Sequence, residues 1–181
     1  MSGIELRAGS TLVRPWRVAD AEVVVALAND RDVWLGLRDA FPHPYRIVDA
    51  ASFIRAAVAQ QPPTRFAIEV SGTLAGGIGY SERSDVERIG AEVGYWLGRR
   101  FWGHGIATAA LRLVTAHAFR VNPELRRLYA VPFASNPASA RVLEKAGYRR
   151  EGTLRQSAIK DGKVLDQWMY AILRDELVAR A

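Results

Sequence analysis

The spacing of hydrophobic positions changes period several times along the chain, and each change marks an element. TLVRPWR (11–17) alternates around Val13 and carries Trp16, which predicts a strand. VADAEVVVALAND (18–30) puts Val23, Leu27 and their neighbours on one helical face, with Asp20 placed to cap it. DAFPHPYR (39–46) holds two prolines and two aromatics and interrupts the pattern as a loop. Helical spacing resumes in VDAASFIRAAVAQQ (48–61), with Asp49 near its start and a Gln-Pro-Pro-Thr segment to stop it. RFAIEV (65–70) and TLAGGIGYSER (73–83) flank Ser71-Gly72, a two-residue hairpin turn. IGAEVGYWLG (89–98) is a further strand, in which Gly94 marks a bulge or a close approach by another group.

GIATAALRLVTAHAFR (105–120) is apolar almost all round and predicts a buried helix. RRLYAVPF (126–133) reads as a strand. NPASARVLEKAGY (136–148) has an Asn cap, a proline at the first helical position and a glycine near its end, the asymmetry of a short helix. Two last strands, 148–160 and 163–173, meet at Asp161-Gly162, a hairpin signal. The order β-α-α-β-β-β-α-β-α-β-β predicts an α+β fold of about seven strands, a mixed sheet with helices packed on it. Repeats, linkers and low-complexity tracts are absent, so one domain over 1–181 is expected.

Composition narrows the chemistry. Hydrophobic residues make up 49% of the chain, enough for a core and too many for disorder. With no cysteine, thiolate nucleophiles, disulfides and thiolate zinc sites are excluded. The three histidines, His43, His104 and His117, have no ligand spacing, so no metal is expected; His117 falls in the buried helix and reads as a core imidazole. MSGIELRAGS lacks an apolar leader core, and no apolar run approaches a membrane span, which predicts a soluble, cytoplasmic chain without a membrane partner. The net charge of +6 favours an anionic partner. Yet the basic residues are dispersed arginines with only three lysines, which argues against nucleic acid as that partner.

RRFWGHGIAT (99–108) is the stretch that charge alone does not explain. Gly98 and Gly103 have the spacing of a nucleotide-triphosphate loop, but His104-Gly105 stands where Lys-Ser/Thr is required. A dinucleotide fingerprint lacks its last glycine, because Thr108 occupies that place, and it lies mid-chain after hairpins. What remains is Arg100-x-x-Gly103-x-Gly105 between a strand and a helix. That spacing collects backbone N–H groups at a helix N-terminus, where an anion can approach without a Cβ in the way. On residue types alone, a plain glycine turn with solvent-facing arginines is the better fit, because short glycine motifs match by chance.

AEVGYWLGRRFWGHGIATAAL (91–111) and NPASARVLEKAGYRREG (136–152) together resemble the GNAT superfamily of acyl-CoA-dependent N-acyltransferases. The likeness extends over nearly the whole chain. GYWLG, WGHGIAT and the Asn-x-x-Ser-x-x-x-Leu-Glu-Lys-x-Gly-Tyr pattern look most like the RimJ/RimL-like branch, which acetylates N-terminal amines of ribosomal proteins. The resemblance implies the GNAT fold, mostly antiparallel with helices on both faces, and acetyl-CoA as acyl donor. It implies that Arg99, Arg100, Gly103, His104, Gly105, Ile106, Ala107 and Thr108 hold the pyrophosphate. Trp96, Leu97 and Gly98 would pair with the pantetheine amides, and Asn136 would hold the same arm.

Acylating an amine requires a neutral nucleophile, a stabilised oxyanion and a proton for the departing thiolate. By the same resemblance Glu92 is the general base, acting through water. The tyrosine that many members carry seven residues after the capping Asn is replaced here by Leu143, and Ser139 is the candidate contact to the sulfur. Trp34, Phe41, His43 and Tyr45 fall in the region that covers the acceptor in this family, and Asp166 with Gln167 are further acceptor candidates; Tyr148 reads as core. The acceptor is expected to be a peptide N-terminus or a small amine, and a homodimer is a further expectation from the branch. Leu143 keeps a second reading open, an acyl-CoA-binding or ribosome-associated protein with weak chemistry.

Overall fold

The computed structural model describes residues 4–178; residues 1–3 and 179–181, the two ends of the expected 1–181 domain, lie outside the described residues. The chain divides into two compact units. The first takes residues up to Gly79 and Tyr95–Val114, and the second Tyr80–Gly94 and the chain from Thr115 onward.

The first unit begins with β1 (Leu6–Ala8) and β2 (Thr11–Pro15), joined at Gly9, whose φ of +56° is the left-handed conformation a tight turn needs. β1 is the strand missing from the sequence expectation, too short at three residues to show a period. After a single 3-10 turn at Val18–Asp20 come α1 (Ala21–Ala28), a short unpredicted α2 (Arg31–Leu35) and α3 (Ile47–Ala59). β3 (Arg65–Val70) and β4 (Thr73–Glu82) follow, with β1, β2, β3 and β4 each antiparallel to the next. The strand expected at 11–17 thus stops at Pro15. Helix faces of α1 and α3 deliver Val24, Leu27, Ala28, Ala50, Ile54 and Ala57 to a core around Trp16, with Ala67 and Leu74 from the strands.

Asp20 does not cap α1 with its side chain, contrary to expectation. Its carboxylate instead accepts both Nη1 and Nη2 of Arg14, at 2.8 and 2.9 Å, and the Arg17 N–H at 2.8 Å. Arg14 is buried in β2 and also donates to Glu69 on the neighbouring strand at 2.7 Å. A buried guanidinium needs charge compensation far more than a helix end needs a cap, so the carboxylate turns inward.

The second unit contains the start of β5 (Gly90–Leu97) and the end of α4 (Ile106–Val121), then β6 (Arg127–Ala130), α5 (Pro137–Ala146), β7 (Arg149–Lys160), β8 (Lys163–Leu173) and α6 (Arg174–Val178). β5 and β6 pair in parallel from Gly90↔Arg127 to Glu92↔Tyr129, with no register shift. β8 runs antiparallel to both β6 and β7. Among the described residues, hydrogen bonding gives the strand order β1-β2-β3-β4-β5-β6-β8-β7, eight strands where about seven were expected, in the mixed, mostly antiparallel arrangement foreseen. α5 has the predicted ends: Asn136 accepts the Ser139 N–H at 3.1 Å, Pro137 opens the helix, and Gly147 closes it in a left-handed conformation. Tyr148 is core as expected, its hydroxyl 2.8 Å from the buried Thr115 hydroxyl.

His117 is buried on α4, with an Arg120 Nη2 3.2 Å from its Nδ1. Burial, and then the Arg120 charge, push the imidazole below its ordinary 6.5. The unfolded chain therefore takes up this proton at a higher pH than the folded chain does. The corresponding stability is complete above about pH 6.5 and is lost as the pH falls below it. Resistance to urea is expected to fall from pH 7 to pH 5.5, and His117→Gln to flatten that segment of the curve.

Candidate active site

The glycine loop belongs wholly to the first unit. A 3-10 turn at Arg99–Phe101 leads out of β5, and the Trp102 indole N–H reaches back to the Leu97 carbonyl at 2.8 Å. Gly103 and Gly105 then adopt φ of +79° and +76°, a region that L side chains rarely enter. A Cβ built on either would meet nothing within 4 Å, so their glycine identity answers to backbone conformation and to open space, not to packing. Trp102 to Gly105 are all exposed, His104 included. α4 begins at Ile106, and the Ala109 N–H is the donor to the Gly105 carbonyl, at 3.0 Å. The N–H groups of Ile106, Ala107 and Thr108 thus lie in the first turn, which has no intrahelical acceptors, at the positive end of a 16-residue helix.

The two arginines of the loop have different surroundings. Arg99 pairs with Asp30 at 3.1 Å and with Asp32, the carboxylates that open α2. Arg100 lies over the Phe101 ring, its Cζ 4.8 Å from the centroid. Positive charge for an anion therefore rests on Arg100 more than on Arg99. Two backbone groups expected to meet the pantetheine arm are engaged within the chain: the Gly98 N–H donates to the Ala75 carbonyl at 2.9 Å, and the Leu97 carbonyl accepts from Trp102. Gly98 also packs tightly, since a Cβ there would lie 2.6 Å from Leu27.

Alternation along β5 buries Ala91, Val93 and Leu97 on one face and leaves Glu92, Gly94 and Trp96 on the other. Gly94 is exposed, and a Cβ at this position would meet nothing within 4 Å. Trp96 meets the edge of Phe41 at 5.4 Å, and Phe41 lies 4.5 Å from Tyr45. Tyr45 is itself buried in the core, and that burial, with the Asp49 charge, pushes its phenol up to about 12. Trp34 stacks on His43 at 5.5 Å as a separate pair. Of the expected acceptor residues, Phe41 and Tyr45 therefore join one aromatic cluster and Trp34 another.

The second unit holds the remaining candidates. Glu92, half-buried, is the register partner of Tyr129 on β6. Arg83, just past β4, donates its backbone N–H to the Gly90 carbonyl at 2.9 Å and its side chain to Glu87 at 3.2 Å. A Cβ built on Gly90 would come 4.0 Å from the Arg83 Cγ, which puts the Arg83 stem on the Gly90–Glu92 face. Hydrogen bonding to Glu87, then the Tyr129 phenolate that forms at the same high pH and the Glu87 and Glu92 carboxylates, raise the Arg83 guanidinium from its ordinary value. Arg127, the register partner of Gly90, lies over the Tyr129 ring at 5.8 Å and forms a two-pronged pair with Glu151. Sequence reasoning missed this cluster because a parallel register leaves no local signal.

On α5, Ser139 sits in the first turn, where its N–H is held by Asn136, while Leu143 is fully buried. The position of the family tyrosine therefore faces the core. Asp166 and Gln167 are fastened structurally. The Asp166 carboxylate accepts the N–H of Gln156, a residue with φ of +49° in the irregular part of β7, at 2.8 Å. Gln167 donates to the Val131 carbonyl at 3.1 Å. Among the described residues, no group of three or more His, Cys, Asp or Glu is placed to hold a metal ion, and no helix is long and apolar enough to cross a membrane.

Comparison with known proteins matches residues 11–149 to the acetyltransferase (GNAT) domain. The uncharacterised N-acetyltransferase YoaA of Bacillus subtilis is 32% identical over 162 residues, covering 86% of this chain and 88% of that protein. The ribosomal-protein-serine acetyltransferase of Escherichia coli is 34% identical over 85 residues, 47% of each chain. Among solved structures, Mycobacterium smegmatis RimJ in complex with CoA-disulfide superposes with a TM-score of 0.80 at 25% identity, covering 98% of this chain and 93% of that one. The domain match spans more than half of the chain and a relative is aligned along most of both sequences: this protein belongs to the GNAT family and is an acetyltransferase.

Proposed function

We propose that the enzyme moves the acetyl group of acetyl-CoA to a primary amine, a protein N-terminus of the ribosomal-protein type, by direct attack in a ternary complex. The observation that carries this reading is the pair of left-handed glycines, Gly103 and Gly105, opening onto the positive end of α4. An exposed backbone nest of that kind suits a pyrophosphate, which donors from Gly103 to Thr108 would hold, with Arg100 adding charge. Trp96 to Gly98 and Asn136 flank the pantetheine arm. The RimJ complex with CoA-disulfide and the ribosomal-protein-serine acetyltransferase support the donor and acceptor classes. The reading places one domain over 1–181 at work in the cytoplasm.

The chemistry falls to Glu92 and Ser139. An ammonium has no lone pair, so the acceptor must lose a proton before or during attack, and Glu92 takes it, through water. The Ser139 hydroxyl hydrogen-bonds the departing sulfur. The buried Leu143 is what favours the alternative, a protein that binds acyl-CoA with little chemistry.

A panel of amines separates the two. Thiol release from acetyl-CoA is expected with peptides beginning in Ala or Ser, above that with polyamines or aminoglycosides. Binding of acetyl-CoA with no turnover on any amine would replace the enzyme reading with the binding one. Gly103→Val is expected to weaken CoA binding on the order of tenfold or more by calorimetry, because its side chain enters the anion's space and disfavours φ of +79°. Glu92→Gln is expected to lower turnover by roughly 10²-fold or more with acetyl-CoA affinity retained; near-normal rates would remove Glu92 from the base role.

A further inference from the structure

We infer that Tyr129 is a catalytic residue that supplies the proton taken by the departing CoA sulfur, with Arg83 and Arg127 as its supporting cations. The inference rests on the proposed acetyl transfer with Glu92 as base. It answers a gap in that reading. Leu143 is locked in the core, and Ser139 can hydrogen-bond the sulfur but is a poor source of a proton, because an alcohol that gives one up becomes an alkoxide.

Tyr129 is placed differently. It is half-buried on β6, on the same sheet face as Glu92 and directly opposite it, at the last residue pair of the parallel ladder. Neighbouring strands lie about 4.8 Å apart, so the two side chains leave the sheet side by side. Arg127, two residues back on the same face, sits over the ring at 5.8 Å, and the Arg83 stem runs along that face past Gly90. Each guanidinium is tethered by one carboxylate, Glu87 for Arg83 and Glu151 for Arg127. Glu92 lies beside the phenol, and Arg149, paired with Glu176, lies on the same row across Ala171 of β8. An ordinary phenol, near 10, is a weaker acid than an ordinary thiol, near 8.5. Arg83 and Arg127 offset the carboxylates around the phenol, and Glu92 no longer opposes its ionisation once it has taken the amine proton.

The steps balance. The amine lone pair forms the N–C bond at the thioester carbonyl carbon, and an N–H proton passes to Glu92. Collapse breaks the C–S bond with its electron pair on sulfur, which takes the Tyr129 hydroxyl proton and leaves as the thiol. The proton on Glu92 then returns to the adjacent phenolate, and both residues are restored for the next turnover.

Tyr129→Phe tests the assignment in the full chain. The variant is expected to lose on the order of 10²-fold in kcat, with the dissociation constant for acetyl-CoA, the KM for the amine and the thermal midpoint unchanged. Replacing Tyr129 by fluorotyrosines of graded acidity keeps the ring and moves only the proton. The basic limb of the pH–rate profile is expected to shift downward in step with the phenol. A Phe variant within twofold of the parent in kcat, or a basic limb that ignores fluorination, would overturn the role. Failure of the base reading registers separately, as retained activity in Glu92→Gln.

Discussion

The parallel ladder between β5 and β6 is the constraint on which the site depends. Two parallel strands cannot be joined by a tight turn; the chain must leave one end of the sheet and return to the other. Here the return is α4, and a helix following a strand directly must reverse direction in the few residues between Leu97 and Ile106. Two left-handed glycines make that reversal, and in doing so they expose the N–H groups at the start of α4. The same ladder fixes the partner of every residue on β5. Glu92 stands opposite Tyr129 because Gly90 stands opposite Arg127, and a slip of either strand by one residue would put the two side chains on opposite faces.

Charge is handled locally throughout. The chain carries a net +6, yet Arg14 is answered by Asp20 and Glu69, Arg99 by Asp30 and Asp32, and Arg127 by Glu151. The Arg127 side chain in turn holds the Glu151 carboxyl below its ordinary range. The first of these networks is the most buried, with Arg14 and Asp20 in the core and Glu69 half-buried, and there removing one partner strands an ion in a low dielectric at high cost. The exposed pair at Arg99 contributes little energy and more geometry: it ties the start of the glycine loop to α2.

Much of this was legible in the sequence. Periodicity located α1, α3, α4, α5 and all the long strands, and Asn136-Pro137 with Gly147 fixed both ends of α5, because cap chemistry is a property of a few adjacent residues. Gly103 and Gly105 were legible as a conformational demand. Three-residue β1 and five-residue α2 were not, because elements that short carry no period. Asp20 misled for a different reason: the buried Arg14 guanidinium, which it shares with Glu69 of the neighbouring strand, outweighs the local cap.

The sequence by itself determined the family, the order of the longer elements and the residue types from which a site could be built, since these rest on short-range spacing. Tertiary structure decided which of those residues share a surface. It sent Leu143 and Tyr45 into the core, fastened Asp166 to Gln156 and Gln167 to Val131, and spent Arg99 on two aspartates. It also set Glu92 beside Tyr129, with Arg127 over the phenol ring and the Arg83 stem along the same face. Strand register and burial arise from contacts between distant parts of the chain, and no local pattern encodes them.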